Sequence, residues 1–108
     1  MYKRKVIHTL GLITLGLGLS APALADPEAD MVKAGCTACH AKDKKLVGPS
    51  YKEIAAKHKG QADAVATVTA KARAGGKGVY GQIPMPPNPV AKIGDAELKA
   101  AVEWILKH

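Results

Sequence analysis

The chain has no phenylalanine among its 108 residues. Beyond residue 25 its aromatic side chains are Tyr51, Tyr80 and Trp104, and many of its apolar positions are alanine. A domain this small buries a modest share of its surface and often needs a disulfide, a metal or another staple. The shortage of large apolar side chains therefore predicts a core component that is not a side chain. Alternating apolar and polar runs are missing too, so nothing in the chain reads as a strand. There is no dense Lys/Arg run with interleaved aromatics, which excludes the usual footprint of nucleic-acid binding.

A long hydrophobic run is also lacking. The apolar stretch from Val6 to Leu19 spans 14 residues, broken by His8, Thr9 and Thr14. A membrane-spanning helix needs roughly 20. The stretch follows Lys3, Arg4 and Lys5 and leads into "APALA", with Ala23 and Ala25 in an A-x-A arrangement. That layout predicts a secretory signal peptide over residues 1–25, cut after Ala25, and one exported periplasmic domain over 26–108 with no membrane span. No cysteine stands at the cut, which argues against a lipoprotein. The leader takes three basic residues and no acidic one, lowering the formal charge from +7 to +4. A moderately basic domain of this kind suits acidic partners.

Local signals divide the domain into about four helices. "DPEADMVKAGC" opens a helix with Asp26 as cap, Pro27 in the first turn and Glu28 at the positive end. "SYKEIAAKHKG" carries a capping box, Ser50 with Glu53, and is expected to stop at Gly60. "ADAVATVTAKARAGG" puts Val65, Val68, Thr69 and Ala72 on one face and ends at a glycine pair. "DAELKAAVEWILKH" is expected to start at a capping Asp95 and aligns Leu98, Ala101, Val102, Ile105 and Leu106 in one stripe. Trp104 falls off that stripe and is expected to pack at its flank. Between the last two helices, four prolines between residues 84 and 89 exclude regular helix and central strand.

What the chain does have is "CTACH" at residues 36–40, which holds both cysteines and one of four histidines. Thiol–disulfide exchange uses C-x-x-C, but in a βαβ context that this sequence lacks. Zinc takes four ligands in tetrahedral geometry. Cys39 and His40 are adjacent, and no second ligand pair follows at a suitable spacing. C-x-x-C-H is the attachment signature of c-type haem. Each residue has a place in that chemistry. Cys36 and Cys39, three apart on a helix, reach one side and form thioethers with the two vinyl groups. His40 then offers its imidazole to the iron. Export fits as well, because two free thiols this close would tend to oxidise in the periplasm.

Methionine as the second axial ligand raises the potential of a carrier, whereas an open position suits a catalyst or gas binder. Met1 leaves with the leader. Met31 precedes the motif by five residues on the same helix and cannot reach the other side of the haem. Met85 lies 45 residues beyond His40, with Pro84, Pro86 and Pro87 stiffening the loop around it. Met85 is therefore the candidate. His58 and His108 read as surface residues. "GKGVYG", residues 76–81, matches G-x-G-x-x-G, but it lacks the preceding strand and following helix of a dinucleotide fingerprint. Its glycines are read as permitting a tight turn or a close approach to the haem edge.

Along nearly the whole domain the sequence resembles the small bacterial class I cytochromes c of the c-551 type. The matching stretches are "GCTACHAKDKKLVGPSYKEIAAK", "GKGVYGQIPMPPN" and "LKAAVEWILK". The resemblance implies an all-α fold of about four helices around one covalent haem c. It implies attachment through Cys36 and Cys39 and axial ligation by His40 and Met85. The Pro49 carbonyl would accept the His40 Nδ1–H, and Asn88 would hydrogen-bond near the Met85 sulfur. Lys71 and Tyr80 match positions that contact the haem propionates, where family members often carry Arg and Trp. Val47, Ile54 and Ile83 match pocket-wall positions. The implied role is that of a monomeric one-electron carrier and not an enzyme. A quinol–cytochrome c reductase would be its donor. A terminal oxidase, a nitrite reductase or a cytochrome c peroxidase would be its acceptor. Lys33, Lys42, Lys44, Lys45, Lys71 and Lys77 are the candidates for a docking ring around the haem edge.

Overall fold

The computed structural model describes residues 26–108 together with Gly11 and Gly16. The expected signal peptide and its cut after Ala25 lie outside the described residues. Among the described residues there are four α-helices and no strand: α1 (Pro27–Ala34), α2 (Tyr51–Lys57), α3 (Ala64–Ala74) and α4 (Asp95–Ile105). A 3₁₀ turn, Cys36–Ala38, follows α1.

The helix starts follow local chemistry. Asp26 caps α1 by accepting from the Ala29 amide at 3.1 Å, with Pro27 in the first turn. Ser50 caps α2 by accepting from the Glu53 amide at 3.1 Å. Three boundaries depart from expectation. Gly94, not Asp95, occupies the N-cap of α4, and no side chain caps it. The Asp95 carboxylate is taken instead by Arg73 at 2.6 Å, so a tertiary partner outcompetes the local cap. Helix α2 ends at Lys57, and the chain turns through His58 to Gly60 before α3 begins. Gly35, in the left-handed conformation, ends α1 before the cysteines, so Met31 and the CTACH segment do not share one helix.

Helix α4 is the hub and packs against each of the other three. Its stripe of Leu98, Ala101, Val102 and Ile105 is buried with Met31 and Ala34 of α1, Tyr51 and Ile54 of α2, and Ile93. Val65, Val68 and Ala72 of α3 pack against this cluster, as does Leu106. Trp104 takes the flanking place expected of it. It meets Tyr51 edge-on at 5.5 Å between ring centroids, His108 at 4.2 Å, and the Lys42 ammonium at 5.4 Å. Among the described residues no helix is long and apolar enough to cross a membrane.

Candidate functional site

The first wall of the site is built where the chain turns sharply after α1. The Cys39 and His40 amides both donate to the Cys36 carbonyl, at 3.1 and 3.0 Å. Cys36 opens this 3₁₀ turn and Cys39 caps its end. Both thiols are free and half-buried. Burial pushes the Cys36 thiol above its ordinary pKa, with Lys92 partly opposing the shift.

The segment "LVGPS" folds back over this turn. The Gly48 amide donates to the Cys39 carbonyl at 2.8 Å, and the Tyr51 amide donates to the Ala41 carbonyl at 2.9 Å. This return places the Pro49 carbonyl 2.7 Å from His40 Nδ1. A carbonyl can only accept, so Nδ1 carries the proton and the Nε2 lone pair is left for a metal. Gly48 lies directly behind the ring: a Cβ there would sit 2.6 Å from His40 Cε1. Tyr51 backs the imidazole in a near-parallel stack, 6.0 Å between centroids at 24°.

The loop that carries Met85 is hung from the end of α3. Gly76 and Met85 exchange both backbone hydrogen bonds, each 2.9 Å. The approach is so close that a Cβ on Gly75 would strike the Met85 carbonyl oxygen and lie 2.8 Å from the Pro86 carbonyl carbon. Gly75 also has φ of 70°, a region that favours glycine. Beyond Met85, Asn88 is buried, 6% exposed. Its side-chain amide donates to the Ala72 carbonyl at 2.9 Å and to the Pro86 carbonyl at 3.4 Å. Asn88 thus ties the loop to α3 through backbone carbonyls, where a bond beside the Met85 sulfur was expected.

These walls enclose one cavity, with about 1120 Å³ of empty space counted out to solvent. Cys36, His40, Pro49, Ile54, Lys71, Tyr80, Ile83, Met85 and Asn88 all line it. Two expected members do not. Val47 is 50% exposed and absent from the lining, and Cys39 is absent as well. Ile83 lines the cavity but is 66% exposed, which places it at the rim. His58, read as a surface residue, is half-buried and contributes to the lining, with Nδ1 held 2.8 Å from Gln61 Oε1. His108 is exposed, as expected. Of the six candidate ring lysines, Lys71 and Lys77 line the cavity, while Lys42 pairs with Glu28 at 3.1 Å. The "GKGVYG" segment is a turn, closed by a 2.7 Å bond from the Gly78 amide to the Gly81 carbonyl.

The cavity suits a mostly apolar group. Its walls include the core residues Met31, Leu98, Ala101, Val102 and Ile105, so it is a gap in the hydrophobic core and not a surface groove. Protein interiors pack near crystal density, and a gap lined by these core residues calls for an occupant. The Tyr80 and Tyr51 hydroxyls are buried without a protein partner, leaving two donors available to such an occupant. Burial also pushes the Tyr80 phenol above its ordinary pKa, with Glu53 adding to the rise. Among the described residues no three His, Cys, Asp or Glu side chains converge as a zinc site would require.

The family model described as Cytochrome c matches residues 29–108. The chain belongs to the cytochrome c family. It is 60% identical over 74 residues to cytochrome c-551 of Azotobacter vinelandii, across 68% of this chain and 87% of that one. Over 100 residues it is 46% identical to cytochrome c-551 of Pseudomonas aeruginosa, across 92% of this chain and 93% of the relative. The crystal structure of Nitrosomonas europaea cytochrome c552 superposes with a TM-score of 0.69 at 44% identity, covering 74% of this chain and 96% of that one. The chain is therefore a small class I cytochrome c of the c-551 type, with covalent haem c as its cofactor. It is a monohaem electron carrier and not an enzyme.

The contacts that Gly48, Gly75 and Arg73 make behind the cytochrome's cavity were not expected from the sequence. Arg73 had a visible signal, being the only arginine beyond residue 25. The glycines had weaker ones, in "VGP" and in the glycine pair that closes α3.

Proposed function

We propose that this cytochrome is an exported, monomeric carrier that takes single electrons from a quinol–cytochrome c reductase in the membrane. It would deliver them to a terminal oxidase, a nitrite reductase or a cytochrome c peroxidase in the periplasm. The observation that carries the proposal is the single cavity onto which both His40, with its proton fixed on Nδ1, and Met85, on a pinned loop, open.

Each residue has a defined task. Cys36 and Cys39 tether the haem through thioethers. His40 presents Nε2 to the iron, and the Pro49 carbonyl holds its ring and raises its basicity. Met85 supplies the second axial ligand, and Asn88 keeps its loop against α3. The haem supplies the Fe(II)/Fe(III) couple. Ile54, Ile83 and the apolar stripe of α4 exclude water, which favours the less charged reduced state. Lys71 and Tyr80 face the propionates as cation and hydrogen-bond donor. Val47, outside the cavity and half-exposed, belongs to the apolar rim that a partner meets. Lys71 and Lys77 steer an acidic docking face, so association slows as salt rises. The "KRK" cluster, apolar stretch and "APALA" support export with cleavage after Ala25.

The test is a reduced-minus-oxidised spectrum combined with the intact mass of the exported protein. The expected result is a c-type spectrum, a weak red methionine-to-iron band in the ferric state and the mass of residues 26–108 plus one haem. Carbon monoxide binding without denaturant, together with absence of the red band, would overturn the carrier reading. Elution as a stable complex would overturn the monomer.

A further inference from the structure

Arg73 leaves the last turn of α3 and reaches three acceptors. Nη1 donates to the Asn88 carbonyl at 2.9 Å and to the Ile93 carbonyl at 2.8 Å. Nη2 donates to Asp95 Oδ1 at 2.6 Å. The arginine side chain is 24% exposed and that of Asp95 88%, so the carboxylate is the outer and more solvated partner. The two carbonyls are the enclosed part of the contact, and both belong to the segment that follows Met85. Asn88 lies three residues beyond it, and Ile93 eight.

Met85 therefore sits between two anchors on the same helix end. Upstream the anchor is the paired backbone bond with Gly76. Downstream the Asn88 amide donates to the Arg73 carbonyl at 3.1 Å, and the guanidinium closes back on the Asn88 carbonyl. Only a planar fork with several fixed donors can hold two carbonyls and a carboxylate at once; a lysine ammonium on its flexible stem cannot reproduce that geometry. Without the guanidinium, the carbonyls of two buried residues lose a donor and the downstream anchor loosens.

We infer that Arg73 is a positioning residue for the Met85 thioether, setting how firmly the loop keeps sulfur on iron. The inference rests on Met85 being an axial ligand. Its test follows the red band of the ferric, haem-loaded protein as pH is raised, with far-UV circular dichroism recorded on the same samples. Arg73→Ala is expected to lower the pH at which half the band is lost by about one unit, a tenfold larger ligand-off population at a given pH. Helicity at that pH should match wild type. Arg73→Lys, which keeps the charge, should fall between the two and carries the test if the alanine variant loads no haem. Asp95→Asn should leave the midpoint where wild type has it. An unmoved midpoint in Arg73→Ala and Arg73→Lys would overturn the inference. So would an equal shift in Asp95→Asn, which would trace the effect to the exposed ion pair, or helix loss that tracks band loss. A wild-type protein with no red band would remove Met85 from the ligand set and the inference with it. A wild-type band that the Arg73 variants do not move removes only the role of Arg73.

Discussion

Arg73 and Asn88 hold each other twice. The Asn88 amide donates to the Arg73 carbonyl at 3.1 Å, and the Arg73 guanidinium donates to the Asn88 carbonyl at 2.9 Å. Fifteen residues and a whole loop separate them in sequence. The pair joins the end of α3, whose last carbonyls lack helical partners, to a proline-rich segment whose carbonyls have few donors of their own. Each side supplies what the other is missing, and Met85 is fixed as a result.

Asn88→Ala should therefore destabilise the protein well beyond a surface substitution. The change removes the side-chain bonds to the Ala72 and Pro86 carbonyls from a buried site. A loss of about 2–3 kcal/mol is expected for buried carbonyls left unpaired. Guanidinium chloride unfolding of the haem-loaded protein measures it, and a loss below 0.5 kcal/mol, the size of an ordinary surface change, would contradict the role.

Gly75→Ala should strain the same junction from the other side. The added Cβ strikes the Met85 carbonyl and is forced to φ of 70°. The expected cost is on the order of 1–3 kcal/mol, with a shifted or weakened red band. Thermal unfolding and the ferric spectrum together check it.

Met85→Ala should lower the reduction potential by on the order of 0.2 V, a part of the roughly 0.8 V range that axial ligands command. The haem should stay attached, because both cysteines remain. Redox titration reads the potential, and an unchanged value would exclude Met85 as a ligand.

Tyr80 gives a prediction in pH. Burial, and then Glu53, hold its phenol above the ordinary value of 10.0. A raised folded-state pKa means that its contribution to stability is full below the unfolded value and is lost as pH climbs through the higher folded one. Stability should fall on the alkaline side above about pH 10, and Tyr80→Phe should flatten that fall. Denaturant midpoints measured between about pH 9 and 12 test the difference.

Much of the fold was legible because its signals are local. Asp26 and Ser50 cap as their positions suggest, and the apolar stripe of α4 faces the core. The CTACH motif and the proline-flanked Met85 stand out in the sequence for the same reason: their candidate roles are written in neighbouring residues. What escaped depends on distance in sequence. Asp95 has the composition of a cap, but Arg73, 22 residues earlier, claims its carboxylate. Val47 sits in a matching stretch yet turns to solvent, because the return of the chain is set by Gly48 packing on His40. His58 looked like one more polar residue at a helix end, but the early stop of α2 at Lys57 turns it toward the cavity. No periodicity reports such contacts.

The paired bonds between Gly76 and Met85 close a ring of chain whose free part is residues 77–84. A ring fastened at its base separates two properties that would otherwise trade against each other. The clasp holds the Met85 backbone, while Lys77, Val79 and Ile83 beyond it line the cavity without a bond to α3. Substitutions at Lys77 and Val79 that keep Tyr80 and Ile83 should therefore alter the cavity mouth while the clasp on Met85 stays closed.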